Sequence, residues 1–186
     1  MSMRAWVNGQ VLDGEQPALL ANDHGITVGD GVFETCKVDG GQVFAMSRHL
    51  RRLVRSATGL GLAEPDTDLV RRGVAELLAA EGPIDFGRLR ITVTGGPGPL
   101  GSERTGTGLT YVIQAVAQDR PAPTTAAVLA PWVRNERSPV AGLKTTSYAE
   151  NVMALAYAKE RGASEALMAN TVGELCEGTG DRKSVV

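Results

Sequence analysis

Apolar residues along this chain change their spacing at definite points, and the changes predict elements. From residue 4 to residue 12, two short mixed runs flank Asn8-Gly9, a dipeptide suited to the positive φ angles of a two-residue turn, so a hairpin is expected. Residues 32–38 and 42–45, joined by Asp39-Gly40-Gly41, predict a second hairpin. The period then lengthens. Leu50, Leu53, Val54, Ala57 and Leu60 fall on one face of a helix, with Ser47 as the expected N-cap and Gly61 as the stop. Leu69, Val70, Gly73, Val74, Leu77 and Leu78 repeat that spacing and predict a helix over 67–80.

Further on, strands are expected at 88–94 and 109–116 around a Gly/Pro/Ser-rich loop, 95–108. Pro121 and Pro123 resist both helix and sheet and mark a linker at 118–125. Beyond it come a strand at 126–132, a helix over 148–161 stopped by Gly162, and short strands at 165–169 and 174–177. Strands around two helices make the first part α+β. The division is a small α+β domain, 1–117, the linker, and the start of a second domain, 126–180.

Composition narrows the function. With 186 residues the chain can bury a real core, and 42% apolar with 22% charged residues is ordinary for a globular protein. A formal charge of −2 argues against a phosphate-gripping nucleic-acid binder. No apolar run is long enough to span a bilayer and the N-terminus has no signal-peptide core, so a cytoplasmic protein with its two cysteines reduced is expected. Of the 19 basic residues only Lys37, Lys144, Lys159 and Lys183 are lysines. Chemistry that needs an amine has few candidates.

Several motifs carry little. The loop Gly95-Gly96-Pro97-Gly98-Pro99-Leu100-Gly101 is no phosphate cradle, because prolines remove donors and no Gly-Lys-Ser/Thr follows; a hairpin connection or pocket flap is expected. His24 and His49 lack metal-ligand spacing, so no metal is expected, and His49 is read as a packing or hydrogen-bonding residue. Cys176, inside a predicted strand, is read as a buried small hydrophobe. Lys144 is more informative. It follows an apolar strand and precedes a helix, and an amine held partly desolvated at a strand end suits imine chemistry. Taken alone, a lysine before a helix is more often an exposed side chain.

Asp23-His24-Gly25 with Gly29-Asp30-Gly31-Val32-Phe33-Glu34-Thr35 resembles the N-terminal signature of the class IV aminotransferases, the fold type IV pyridoxal-phosphate enzymes. Arg48-His49-Leu50-Arg51-Arg52-Leu53, then Gly142-Leu143-Lys144 with Asn151, then Ala163-Ser164-Glu165-Ala166, then Cys176-Glu177-Gly178-Thr179-Gly180, are similar to later blocks in order and spacing. The resemblance covers about residues 4–180 and is nearest in flavour to 4-amino-4-deoxychorismate lyase. It implies a two-domain D-amino-acid-aminotransferase-like fold and a homodimer acting on a small amino substrate, with no nucleic acid and no membrane.

It also implies roles. Lys144 would bond the aldehyde of pyridoxal 5'-phosphate and later carry the proton at the substrate carbon. Glu177 would face the pyridine nitrogen and keep the ring protonated. Arg52 would hold the phosphate, and Tyr148 would hydrogen-bond the phenolic oxygen. Phe33, Arg90 and Arg104 are pocket candidates, the arginines because a dicarboxylate needs cations. The implied reaction takes 4-amino-4-deoxychorismate to 4-aminobenzoate and pyruvate. The alternative on the same residues is transamination of a branched-chain or D-amino acid.

Residues 174–180 read as a strand entering a turn that should lead to another strand. Instead Asp181-Arg182-Lys183-Ser184-Val185-Val186 matches one frame of a sequencing adapter. The expectation is that 181–186 is an artefact, that the second domain is incomplete, and that this chain by itself is an inactive fragment lacking the C-terminal half of the cofactor domain.

Overall fold

The computed structural model describes residues 3–106 and 108–180; the hexapeptide 181–186, and with it the adapter reading, lies outside the described residues. Contacts divide the chain into two units: Met1–Arg120 with Gly142–Thr146, and Pro121–Ala141 with the chain from Ser147.

The first unit holds β1 (Arg4–Val7), β2 (Gln10–Asp13), α1 (His24–Thr27), β3 (Gly31–Asp39), β4 (Gln42–Val43), α2 (Met46–Gly59), α3 (Thr67–Glu81), β5 (Phe86–Thr94) and β6 (Thr110–Ala117). Its strands form one antiparallel sheet in the order β2-β1-β6-β5-β3-β4. Side chains alternate across the sheet, so Trp6, Val32, Cys36, Leu89, Ile91 and Ile113 share the face that packs on Leu50, Leu53, Val70 and Leu77 of α2 and α3. Gly73 lets α3 approach closely: a Cβ there would lie 2.7 Å from the Trp6 ring. The indole is fixed in turn by its Nε1–H, which donates to Glu76 at 2.7 Å.

Two local expectations are corrected. Ser47 does not cap α2. The chain leaves the β4 turn with Ala45 in the left-handed region at φ 53°, the helix starts at Met46, and the Ser47 hydroxyl accepts from Arg71 at 3.1 Å. The single turn α1 has no apolar period to announce it. It is set by Asp23, whose carboxylate accepts the Gly25 N–H at 2.8 Å.

Gly142–Thr146, placed by the sequence division in the second domain, belongs to the first unit. The cause is backbone pairing with β3. The Phe33 N–H donates to the Lys144 carbonyl at 3.0 Å and the Thr146 N–H to the Gly31 carbonyl at 2.8 Å. The segment thereby covers the start of β3, Gly31 to Phe33, which β4 does not reach.

The second unit contains β7 (Ala127–Arg134), α4 (Ala149–Glu160), β8 (Glu165–Asn170) and β9 (Leu175–Gly178). β7 and β8 are parallel with α4 between them in sequence, and β9 returns antiparallel on β8. Pro131 has no N–H to give the ladder, and the register shifts between Leu129 and Val133 around it. The core is small: Ala130, Ala154, Ala158, Ala163, Ala166 and Met168. Leu129, Val133, Val152, Met153, Val172 and Leu175 are exposed. Among the described residues no helix is long and apolar enough to cross a membrane.

Candidate active site

In the first unit the helix-free face of the sheet carries the informative group. Phe33 is 4% exposed, and two cations lie on its ring: the Arg90 guanidinium carbon 3.8 Å and the Lys144 amine 4.3 Å from the centroid. Register explains the first contact. Arg90 stands opposite Thr35, diagonal to Phe33 on the same face of the β3–β5 pair. Backbone pairing of 144–146 with β3 explains the second. Three residues distant in sequence, Phe33, Arg90 and Lys144, are thus brought together.

The other side of the Lys144 segment is held by α2. The Lys144 N–H donates to the Ser56 hydroxyl at 3.1 Å, and Leu143 packs over Gly59, where a Cβ would meet its Cδ2 at 2.7 Å. Arg52, Ser56 and Gly59 lie four and three residues apart, so they form one stripe of the helix. Arg52 is held on that stripe by Glu34 of β3: its Nε and Nη2 donate to the two carboxylate oxygens, each at 2.6 Å. Glu34 is fully buried and its second partner is His49, Nδ1 to Oε2 at 2.6 Å. Burial alone would raise the Glu34 pKa; the hydrogen bonds and charges of Arg52 and His49 outweigh it and hold the carboxyl below the usual range.

Arg104 is committed elsewhere. Its guanidinium grips both Asp30 oxygens, at 2.7 and 2.6 Å, and the Gly61 and Leu60 carbonyls at 3.1 and 2.9 Å. The Asp30 hydrogen bond raises its already high pKa. This clamp ties the 95–106 loop to the end of α2. The same loop is anchored again at His24, whose Nε2 lies 2.9 Å from the Pro99 carbonyl, and by Gly98, whose N–H donates to the Asn22 carbonyl at 3.0 Å. It connects β5 to β6 as a hairpin, as expected.

In the second unit Glu177 sits on β9 and is held by Arg134 of β7, whose Nε and Nη2 both donate to Oε1, at 2.9 and 2.5 Å. The same guanidinium reaches Glu150 at 2.7 Å and Asn151 at 3.0 Å. Asn151, 3% exposed, donates in turn to the Thr179 carbonyl at 3.1 Å. Burial would lower the Arg134 pKa, but the bonds to Glu177 and Glu150 leave it raised. Glu165 accepts from the Thr179 hydroxyl and, at 2.7 Å, from its N–H. Tyr148 is the residue before α4. Cys176 is exposed rather than buried: among the described residues β9 is an edge strand, and neither Leu175 nor Cys176 is covered.

Residues 31–180 match the family described as amino-transferase class IV. The chain belongs to this family. Its enzymes depend on pyridoxal phosphate, and its fold is fold type IV. The class IV chain is 31% identical to a bifunctional aminodeoxychorismate lyase / D-amino acid transaminase of Mycobacterium tuberculosis, over 92% of this chain and 62% of the relative. It is 30% identical to a putative branched-chain-amino-acid aminotransferase of Methanocaldococcus jannaschii, over 99% of this chain and 65% of the relative. Among solved structures, a hypothetical aminotransferase from Mycobacterium tuberculosis in its PLP-bound form superposes with a TM-score of 0.80 at 29% identity, over 95% of this chain and 65% of that one. The chain thus spans a little under two thirds of the length of these relatives.

Sequence reasoning missed three supporting groups of this class IV chain. Glu34 stood in the signature without a role. Ser56 gave no signal beyond its place on the polar edge of α2. Arg134 ends a strand and was hidden because its partners lie 16, 17 and 43 residues away.

Proposed function

We propose that the protein is a pyridoxal-phosphate-dependent lyase that converts 4-amino-4-deoxychorismate to 4-aminobenzoate and pyruvate. The observation that carries this reading is the pairing of the Lys144 amine with the Arg90 guanidinium on one phenyl ring, 4.3 and 3.8 Å from its centroid. An amine for an aldehyde and a cation for a carboxylate are the two groups that such a substrate and cofactor require. The name of the mycobacterial relative, which includes aminodeoxychorismate lyase, supports it.

The donors that the first unit brings together, an amine and a guanidinium, suit the cofactor, and the family resemblance adds two from the second unit. Lys144 supplies the amine. Arg52 supplies a guanidinium with 39% of its side chain exposed and its Nε/Nη2 edge held by Glu34, suited to a phosphate. Glu177, a carboxylate fixed by Arg134, would meet the pyridine nitrogen, and Tyr148 the phenolic oxygen. When bound, the cofactor would supply an electron sink for the carbon that bears the substrate amine. Lys144, displaced by that amine, would take the proton from this carbon. Phe33 would shield the reacting carbon from water, and Arg90 would orient a substrate carboxylate. In this reading residues 1–117, with 142–146 paired to them, form the small domain, 118–125 the linker and the rest of 126–180 the first part of the cofactor domain of a cytoplasmic homodimer.

Transamination of a branched-chain or D-amino acid is the second reading, favoured by the other activity named for the mycobacterial relative and by the branched-chain relative. The co-substrate separates the two. Incubated with pyridoxal phosphate and 4-amino-4-deoxychorismate alone, the protein should release 4-aminobenzoate and pyruvate with no 2-oxo acid added. Turnover of amino acids that stops when the 2-oxo acid is withheld, with no 4-aminobenzoate formed, would establish the transaminase instead.

A further inference from the structure

Beneath the Lys144 segment lies a buried polar cluster that the proposed chemistry does not use directly. Glu34, at 0% exposure, sits in the otherwise apolar face of β3 between Val32 and Cys36. A carboxylate there is costly unless it is paired, and a buried pair is poor evidence of a gain in stability, since apolar replacements of similar size often serve as well. Its retention calls for another explanation, and the geometry supplies one. Both oxygens are spent on the Nε/Nη2 edge of Arg52, a fork-to-fork pair that fixes the plane of the guanidinium. A carboxylate only accepts, so His49 donates through Nδ1 to Oε2, the oxygen that also accepts from Arg52 Nη2. The His49 ring is itself 1% exposed, and among the described residues its Nε2 has no hydrogen-bond partner. Its Nδ1 bond to Glu34 ties the ring to the cluster.

We propose that Glu34 is a positioning residue for Arg52: it locks the guanidinium so that the edge away from Glu34 meets a phosphate monoester, and His49 fixes Glu34. The inference rests on the reading of Arg52 as the phosphate residue. Place on the helix supports it. Arg52 is one turn from Ser56, which holds the Lys144 backbone, so the same stripe of α2 sets both the anion and the amine. An arginine free to change rotamer would meet a phosphate only part of the time. One clamped along one edge is preorganised, and little entropy is lost on binding.

Affinity for pyridoxal phosphate and for pyridoxal, which lacks the phosphate, separates this role from a structural one. In titrations of the protein, Glu34→Gln should weaken pyridoxal phosphate roughly tenfold to a hundredfold, the loss expected for a misaligned charged contact, and leave pyridoxal unchanged. His49→Asn should move the same way by less. A Glu34→Gln protein that keeps the full preference for the phosphate ester overturns the proposal. So does equal weakening of both ligands, which marks a general loss of structure. A second measurement is independent of the cofactor reading. In ¹H–¹⁵N spectra the Arg52 Nε–H should be protected from exchange in the parent and shift on adding inorganic phosphate. In Glu34→Gln both features should be lost. Identical Arg52 signals in the two proteins overturn the positioning role, whereas failure of the parent to take up pyridoxal phosphate, with the Arg52 signals as expected, would sink the functional reading alone.

Discussion

Glu34 shows how one residue can tie stability to pH. Its carboxyl is held below the usual range by Arg52 and His49 against the cost of burial, so the folded state holds the proton less tightly than the unfolded chain. The sign follows. The stabilisation is complete above the unfolded value of 4.5 and is lost as pH falls through the lower folded value. Glu34→Gln removes a charged, buried acceptor and should cost about 1–3 kcal/mol near neutrality. In denaturant unfolding at a series of pH values, the gap between parent and variant should stay constant above about pH 5 and close as the solution is acidified below pH 4. A gap independent of pH down to pH 2 would mean that Glu34 is not the ionised partner of Arg52. At this scale the sequence was informative about chemical type and silent about pairing. Lys144 stood out because lysines are few; the Arg104 clamp was not legible because its Asp30 partner lies 74 residues away.

At the scale of elements, hydrophobic period and glycine stops placed most boundaries within a residue or two. The helix expected over 67–80 is Thr67–Glu81, and that expected over 148–161 is Ala149–Glu160. Failures occurred where no period exists. The four-residue α1 is capped by one Asp23 bond, and α2 is entered through a left-handed Ala45 instead of a capping hydroxyl. Gly73 tests the packing account. Alanine is favoured over glycine in a helix by up to about 1 kcal/mol, but here its Cβ would lie 2.7 Å from the Trp6 ring and 2.9 Å from Ile113 Cδ1. Overpacking costs about 1–3 kcal/mol, and Trp6, bonded to Glu76, cannot swing away freely. Gly73→Ala should therefore lower the urea midpoint with an unchanged slope. A raised midpoint would show that α3 does not approach β1 as closely as described.

At the scale of the whole chain, fold class and family were legible because blocks of motif residues keep their order. The sheet order β2-β1-β6-β5-β3-β4 was not, since β1 pairs with β6 across about a hundred residues. Nor was the assignment of Gly142–Thr146 to the first unit, because edge pairing on β3 leaves no periodic trace. That pairing has a functional consequence. It puts the Lys144 amine on the Phe33 ring through backbone bonds to β3 and a hydroxyl on α2, so a strand and a helix together position the amine. Whether this amine bonds the cofactor is read by covalent trapping. The protein is loaded with pyridoxal phosphate, reduced with borohydride, digested and mapped by mass spectrometry. A single pyridoxyl-phosphate adduct is expected on Lys144, absent from Lys144→Ala; an adduct on Lys37, Lys159 or Lys183 instead, undiminished in that variant, would rule out Lys144 as the bonding amine.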